Sequence, residues 1–302
     1  MRVGRYFRDG LFQHFFTVND RTFSHESLYK LRGHPAFPQQ VDRALESGAS
    51  TDWVTALPFL EDFILSHRDE MNTSSSPVPA RLAAPVQPQN VICVGLNYRD
   101  HAQESEMAIP KQPLLFSKSV NTISGHNQQV VLPRAAAQVD YEAELGVVIG
   151  QTCKRVKAAQ AHQVIAGYLC GNDVSARDFQ FGDGQWFRGK SADGFAPIGP
   201  RLVTPSEVPD PGNLRIQFRL NNRVMQDATT SSLIFSIPEL IEFITQSITL
   251  SPGDLILTGT PPGVGFARKP PVFLRAGDLM EVDIENIGTL VNTVVEDVDQ
   301  PD

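Results

Sequence analysis

Residues 140–150 read DYEAELGVVIG, and within them Glu142 and Glu144 stand one residue apart in an apolar run. Side chains alternate faces along a strand, so the two carboxylates share a side while Tyr141, Ala143 and Leu145 point to the other. Two adjacent anions on a half-buried face repel and are poorly solvated unless a cation lies between them. Taken alone, E-x-E fits a solvated strand face at least as well. A third acid changes the reading. VIAGYLCGNDVSARD carries an apolar run into Gly171, Asn172 and Asp173, and sites are often built at strand ends, where loops begin. Two ligands from one strand and a third from another would fix a metal on one side and leave positions open for water and substrate. Carboxylate oxygens suit Mg²⁺, Mn²⁺ or Ca²⁺.

Other residues carry chemistry of their own. His101 and Glu104 lie three apart in NYRDHAQESEM; on a helix they share a face and can meet. An imidazole oriented by a carboxylate is a competent base toward water or a C–H proton, although i,i+3 surface pairs are common. Lys190, in GKSADGFAPIGP, could stabilise a developing enolate or oxyanion beside a divalent metal. A surface position is the commonest fate of a lysine, but the Gly- and Pro-rich run around this one argues for a fixed backbone, with Asp193 as a possible partner. LTGTPPGVG, residues 257–265, lacks the Lys-Ser/Thr of a phosphate loop. It is expected to offer backbone N–H groups and the Thr260 hydroxyl to a substrate carboxylate, or to be a tight turn that needs glycine at positive φ. Arg177, Asp178 and Gln180 follow Asp173 and are candidates to line the pocket or orient the ligand. Asp140 would face the same side as Glu142, next to the site or in solvent. Gln185 and Trp186 are candidate pocket walls. The remaining histidines show no ligand spacing.

The elements that must position these groups are mostly strands. VICVGLN, QVVLP, YEAELGVVIG, VIAGYLCGNDV, LRIQFRLN, DLILTGT and LMEVDIENIG are β-rich and bounded by Gly, Pro, Asn or Asp. FRLNNRVMQD reads as a hairpin turning at Asn221-Asn222. Helices are fewer: WVTALPFLEDFILSH, a short KAAQAHQVIAG, and SIPELIEFITQSI, whose Ser236 and Glu239 form a capping box ahead of the stripe Leu240, Ile241, Ile244 and Ile248. Residues 71–90, rich in Ser, Pro and Asn, read as a linker. The expected organisation is a small N-terminal α/β domain (1–70), the linker (71–90) and a mainly β, α+β domain (91–302).

Composition bounds the partners. The chain has 302 residues and a formal net charge of −8, with no basic cluster, which argues against nucleic acid and anionic membranes. No apolar run is long enough to span a bilayer. The opening MRVGRYFRDG has no signal-peptide core, so an intracellular location, cytoplasmic or mitochondrial, is expected. Cys93, Cys153 and Cys170 have no close pair and read as free core thiols in a reducing compartment.

Several long motifs then fall in one order: VGLNYRDHAQE, FSKSVN, VDYEAELGVVIG, GNDVSARD, QWFRGKSADGFAPIGP, LTGTPPGVG and AGDLMEVDIENIGTLVNTV. Over residues 91–296 the chain resembles the fumarylacetoacetate hydrolase family. FARKPPVFLRAGD and the N-terminal segment make it most similar to the domain-containing type 2 subgroup. The resemblance implies a mixed β-sandwich or β-roll, a homodimer, and Mg²⁺ or Mn²⁺ held by Glu142, Glu144 and Asp173. It implies that His101 and Glu104 belong to a lid over residues 98–110, and that Lys190 orients substrate or acts in catalysis. It also implies a β-dicarbonyl or 2-oxo-acid substrate. Hydrolysis of a C–C bond of an acylpyruvate type is the leading expectation from the family's breadth. Oxaloacetate tautomerase is the alternative toward which the subgroup likeness pulls, with oxaloacetate decarboxylase beside it. A non-catalytic scaffold would be expected to have lost a ligand or the dyad, and this sequence keeps them all.

Overall fold

The strand Ala143–Ile149 is buried at every position, as a strand must be when both faces of its sheet are covered. Its odd-numbered side chains Leu145, Val147 and Ile149 join one apolar core with Ile216, Phe218 and Val282. Val148 joins a second core with Trp53, Leu57, Leu60 and Ile64. The large sheet is therefore the middle layer of three. The computed structural model describes residues 1–8, 10–67, 71, 79–104 and 108–298. The expected linker runs through 72–78 and the expected lid through 105–107, which lie outside the described residues.

Among the described residues the large sheet runs in the order Arg21–Ser24, Leu11–Val18, Arg2–Arg8, Ala196–Val203, Ile165–Asn172, Ala143–Ile149, Leu255–Leu257, Val91–Gly95, Leu114–Lys118, with Ile123–Ser124 pairing alongside Ala196–Val203. A five-stranded sheet packs on one face, in the order Arg223–Thr229, Arg215–Leu220, Leu279–Ile284, Gly288–Glu296, Gln129–Leu132. The helix Ser50–His67 covers the other face. This is the mainly β, α+β sandwich that the sequence implies. The N-terminal segment is continuous with it: Arg2 pairs with Val203 and Val3 with Leu202.

Local signals account for most elements. Asn221 and Asn222 take φ values of 51° and 66° between the hairpin strands, as the expected turn requires. Ser236 caps Ile237–Ser247, with Glu239 Oε2 accepting from the Ser236 N–H at 2.7 Å. Leu240, Ile241 and Ile244 of that helix are fully buried, each burial stabilising by about 1.5–3 kcal/mol; Ile248 lies past the last turn and is 40% exposed. The helix expected over KAAQAHQVIAG is instead a 3₁₀ turn, Ala158–Val164, and the strand begins at Ile165. The β-branched Val164-Ile165 pair favours extension once the large sheet offers a partner.

Candidate active site

The strand order explains how three acids meet. Ile165–Asn172 runs antiparallel to Ala143–Ile149, with Gly171 opposite Glu144. Beyond the ladder the Asp173 N–H donates to the Glu142 carbonyl at 2.9 Å, so the third acid sits directly across from the first. Asn172 Oδ1 accepts from the Glu142 N–H, and Gln226 Oε1 from the Ala143 N–H, each at 3.0 Å; these side chains hold the strand in line where its pairing ends. Glu142, Glu144 and Asp173 are all buried, and each brings an oxygen within 4.8 Å of the others. Tyr141 and Ala143 pack the opposite way, Tyr141 stacking on Phe218 with ring centroids 4.2 Å apart.

Three carboxylates this close repel by at least about 3 kcal/mol per pair at an effective dielectric near 20. Three buried cations answer them. Lys190 Nζ bridges Glu142 Oε2 at 2.8 Å and Asp173 Oδ2 at 2.7 Å. Lys118 Nζ donates to Asp173 Oδ1 and to the Val174 carbonyl. Arg177 contacts Glu142 Oε1 at 2.7 Å and Asp140 Oδ2 at 2.8 Å. Burial pushes the Glu142 carboxyl up, but Lys190 and Arg177 overcome it and hold Glu142 below the usual range. For Glu144 burial, then Asp173 and Glu142, outweigh Lys190 and the Gly259 N–H and push it well above that range. Burial lowers the Lys118 ammonium despite Asp173, whereas for Lys190 the pull of Asp173 and Glu142 outweighs burial and raises it. The donor set, hard oxygens with one strongly destabilised member, fits a hard divalent cation.

The TGTPPGVG run serves these carboxylates rather than standing ready for a substrate. Gly259 N–H donates to Glu144 Oε2 at 2.8 Å, Gly263 N–H to Glu104 Oε2 at 2.9 Å, and Gly265 N–H to Asp140 Oδ1 at 2.7 Å. Gly259 and Gly263 have φ near +102° and +103°, and a Cβ on Gly263 would lie 2.1 Å from the Met225 carbonyl, so only glycine fits. Thr260 lines the pocket. Its Oγ1 accepts from Gln226 Nε2 at 2.8 Å, which leaves its own O–H free to donate.

His101 and Glu104 share the helix Arg99–Glu104. His101 Nδ1 lies 3.6 Å from Glu104 Oε2, beyond hydrogen-bond length, and is buried with no other partner. Burial raises the Glu104 carboxyl, and His101 together with the Gly263 N–H lowers it further, for a net fall. His101, Glu142, Glu144, Arg177, Gln180, Trp186, Lys190 and Thr260 line one pocket. Its free volume is about 50 Å³, far below the roughly 300 Å³ of a small-molecule site.

Other expected residues lie elsewhere. Gln185 is exposed and faces a neighbouring groove. Asp193 is exposed and accepts from Asn121 instead of pairing with Lys190. Asp178 accepts from the Ala137 N–H. Asp140 is fully buried and receives Arg177 and three backbone N–H groups, which decides its open placement in favour of the site. Lys118 and Gln226 carry no sequence signal beyond their motifs; a lysine closing the strand LLFSK reads as solvated until its depth is known. Cys93, Cys153 and Cys170 are free and buried.

With this geometry in hand, residues 90–295 match the family model described as "Fumarylacetoacetate (FAA) hydrolase C-terminal". The chain belongs to the fumarylacetoacetate hydrolase family. Within that family it is 43% identical over 263 residues to a Bos taurus protein named "Oxaloacetate tautomerase FAHD2A, mitochondrial", covering 86% of this chain and 81% of the relative. It is 48% identical over 225 residues to the Dictyostelium discoideum "Fumarylacetoacetate hydrolase domain-containing protein 2 homolog", covering 71% and 74% of the two chains. The solved structure of a fumarylacetoacetate hydrolase from Exiguobacterium antarcticum superposes with a TM-score of 0.83 at 33% identity, over 98% of this chain and 100% of that one. The expected type 2 subgroup agrees with these family relatives.

Proposed function

We propose that the chain is a divalent-metal-dependent tautomerase that interconverts the keto and enol forms of oxaloacetate or a closely similar 2-oxo acid. The observation that carries this reading is the placement of the His101 imidazole in the same pocket as Glu142, Glu144 and Lys190, with Asp173 buried behind them against Lys190. The names of the relatives favour it over the leading sequence expectation of C–C hydrolysis. Glu142, Glu144 and Asp173 would hold the ion, which we infer to be Mg²⁺ or Mn²⁺. When bound, it supplies positive charge against the negative charge that grows on the substrate oxygens.

The chain's own groups supply the rest. Glu104 lies on the Nδ1 side of His101 and orients the ring, so Nε2 is left to take a proton from the carbon between the two carbonyl groups. Lys190, beside Glu142 and Asp173, donates a hydrogen bond to the 2-oxo oxygen as its charge grows. The imidazolium returns the proton to that oxygen, and the reverse path runs through the same groups. Gln180 and the free O–H of Thr260 anchor a substrate carboxylate. The small free volume supports a cover around His101 that moves to admit substrate. A homodimer and a mitochondrial or cytoplasmic location go with this reading by similarity; among the described residues no helix is long and apolar enough to cross a membrane.

The experiment follows keto–enol exchange of oxaloacetate with Mg²⁺ or Mn²⁺, beside acetylpyruvate as a hydrolysis substrate. The expected result is metal-dependent exchange without loss of carbon, and a fall in kcat of about 10²–10⁴-fold for His101→Asn with metal binding retained. Release of acetate and pyruvate as the faster reaction would instead restore the hydrolase reading.

A further inference from the structure

Arg5 is 3% exposed, yet among the described residues no carboxylate pairs with it. Its one hydrogen bond runs from Nη1 to the Ala84 carbonyl at a long 3.4 Å. Its Cζ lies 3.7 Å from the Phe12 ring centroid, so one face of the guanidinium is covered by the ring. A guanidinium has five donors, and here nearly all lack a protein partner. Burial with no compensating anion pulls its pKa down to about 10. Among the described residues the other strongly buried cationic side chains, Lys118, Lys190 and Arg177, are held by carboxylates, as is the buried Met1 ammonium. Arg5 is the exception, and a buried charge left in that state is costly.

What lies beside it is a cavity of about 390 Å³, within the range of small-molecule sites. Three separated stretches build it: the strands carrying Arg5 and Phe12, residues 83–88, and residues 120–128. Gln87, Gln128 and Ser124 bring polar groups to the wall, while Phe12, Val120 and Ile123 make it apolar. None of its lining residues lines the pocket that holds His101, Glu142, Glu144 and Lys190. A planar fork of donors on the wall of a cavity whose lining is part polar and part apolar is matched by a planar oxyanion attached to an apolar body.

We propose that this cavity is a second binding site, for a small organic carboxylate whose carboxylate group pairs with Arg5 and whose apolar chain lies along Phe12, Val120 and Ile123. The site does not depend on the reaction assigned above. The paired guanidinium would regain the anion that its burial lacks, so occupancy stabilises the fold.

The test uses the whole chain with Mg²⁺ and saturating oxalate, so that the carboxylate-lined pocket is filled. Butyrate and hexanoate are then titrated by calorimetry and by thermal melting. The expected result is one further equivalent bound per chain, tighter for hexanoate, with a rise in Tm. Arg5→Met should weaken that binding by about tenfold or more while oxalate binding is unchanged. If Arg5→Met does not fold, Val120→Trp replaces it: Val120 is 51% exposed, and the larger side chain fills the cavity from outside the core, with the same loss expected. No further equivalent at millimolar carboxylate, or binding that survives both variants, overturns the proposal. So does a wild-type dimer that Arg5→Met or Val120→Trp converts to monomer with no carboxylate bound, because a second copy would then be what covers Arg5.

Discussion

The cluster around Glu144 and the cluster around His14 both bury titratable side chains against the same large sheet, and they do so by opposite means. At the first, Glu142 and Asp173 are matched by Lys118, Lys190 and Arg177, nearly every oxygen accepting a hydrogen bond. At the second, His14 is 3% exposed, packs tilted against Trp53 with centroids 4.5 Å apart, and its Nδ1 has no hydrogen-bond partner. Burial first, then Arg5 and His25, hold its pKa well below the ordinary value, so the ring is stored neutral. At the first cluster charge is kept by a network that gives Glu142 and Asp173 cationic partners and Glu144 only a backbone N–H; at the second it is suppressed. The exception, Glu144, is the carboxylate for which a bound ion, as proposed above, would supply the missing counter-charge.

The largest effect that would break this contrast is at Glu144 itself. Glu144→Gln should lower turnover by about 10³-fold or more by removing an ion ligand, and abolish the rise in Tm on adding Mg²⁺ or Mn²⁺. The same change removes a repelled anion, so the metal-free protein should melt higher than wild type. A lower melting temperature would mean that Glu144 is not strained. Lys190→Met acts in the other direction. It removes one of the two cations that answer each of two buried carboxylates and should destabilise the metal-free protein by up to about 3–5 kcal/mol, with a larger recovery on adding metal than wild type shows, read by denaturant unfolding in EDTA and in Mg²⁺.

His14 sharpens the other half. A histidine whose folded pKa is depressed is protonated more readily in the unfolded chain. Its contribution to stability is therefore present above the unfolded pKa of about 6.5 and is lost as pH falls below it, by up to about 1.4 kcal/mol per pH unit. His14→Phe should flatten this slope in unfolding experiments between pH 7 and pH 5; an unchanged slope would show that the ring is charged or solvated in the fold. The smallest effect is expected at Gln185. It is exposed outside the pocket, so Gln185→Ala should change kcat/KM by less than about twofold and stability by less than about 0.5 kcal/mol.

These two regions were not equally legible in the sequence. Glu142, Glu144 and Asp173 could be read because strand alternation puts two acids on one side and the Gly-Asn-Asp end of a strand supplies the third. His101 and Glu104 were legible as an i,i+3 pair. Lys118 was not, because burial of a strand's last residue depends on what packs over it. The N-terminal strands were hidden too: Phe15 and Phe16 are both buried, on opposite faces, so no period of two appears. Nor could the sequence say whom the N–H groups of residues 259–265 serve. It shows donors, and only the fold shows that their acceptors are already present in the chain.

That loop has a further consequence. Through Gly263 it moors the helix bearing His101 and Glu104, and through Gly259 it steadies Glu144, a proposed ion ligand. If the proposed cover lifts to let substrate in, it tugs on the same short length of backbone that holds Glu144. Admission and grip thus share one crossbeam, and since that beam is made of main chain, no side-chain exchange elsewhere can stand in for it.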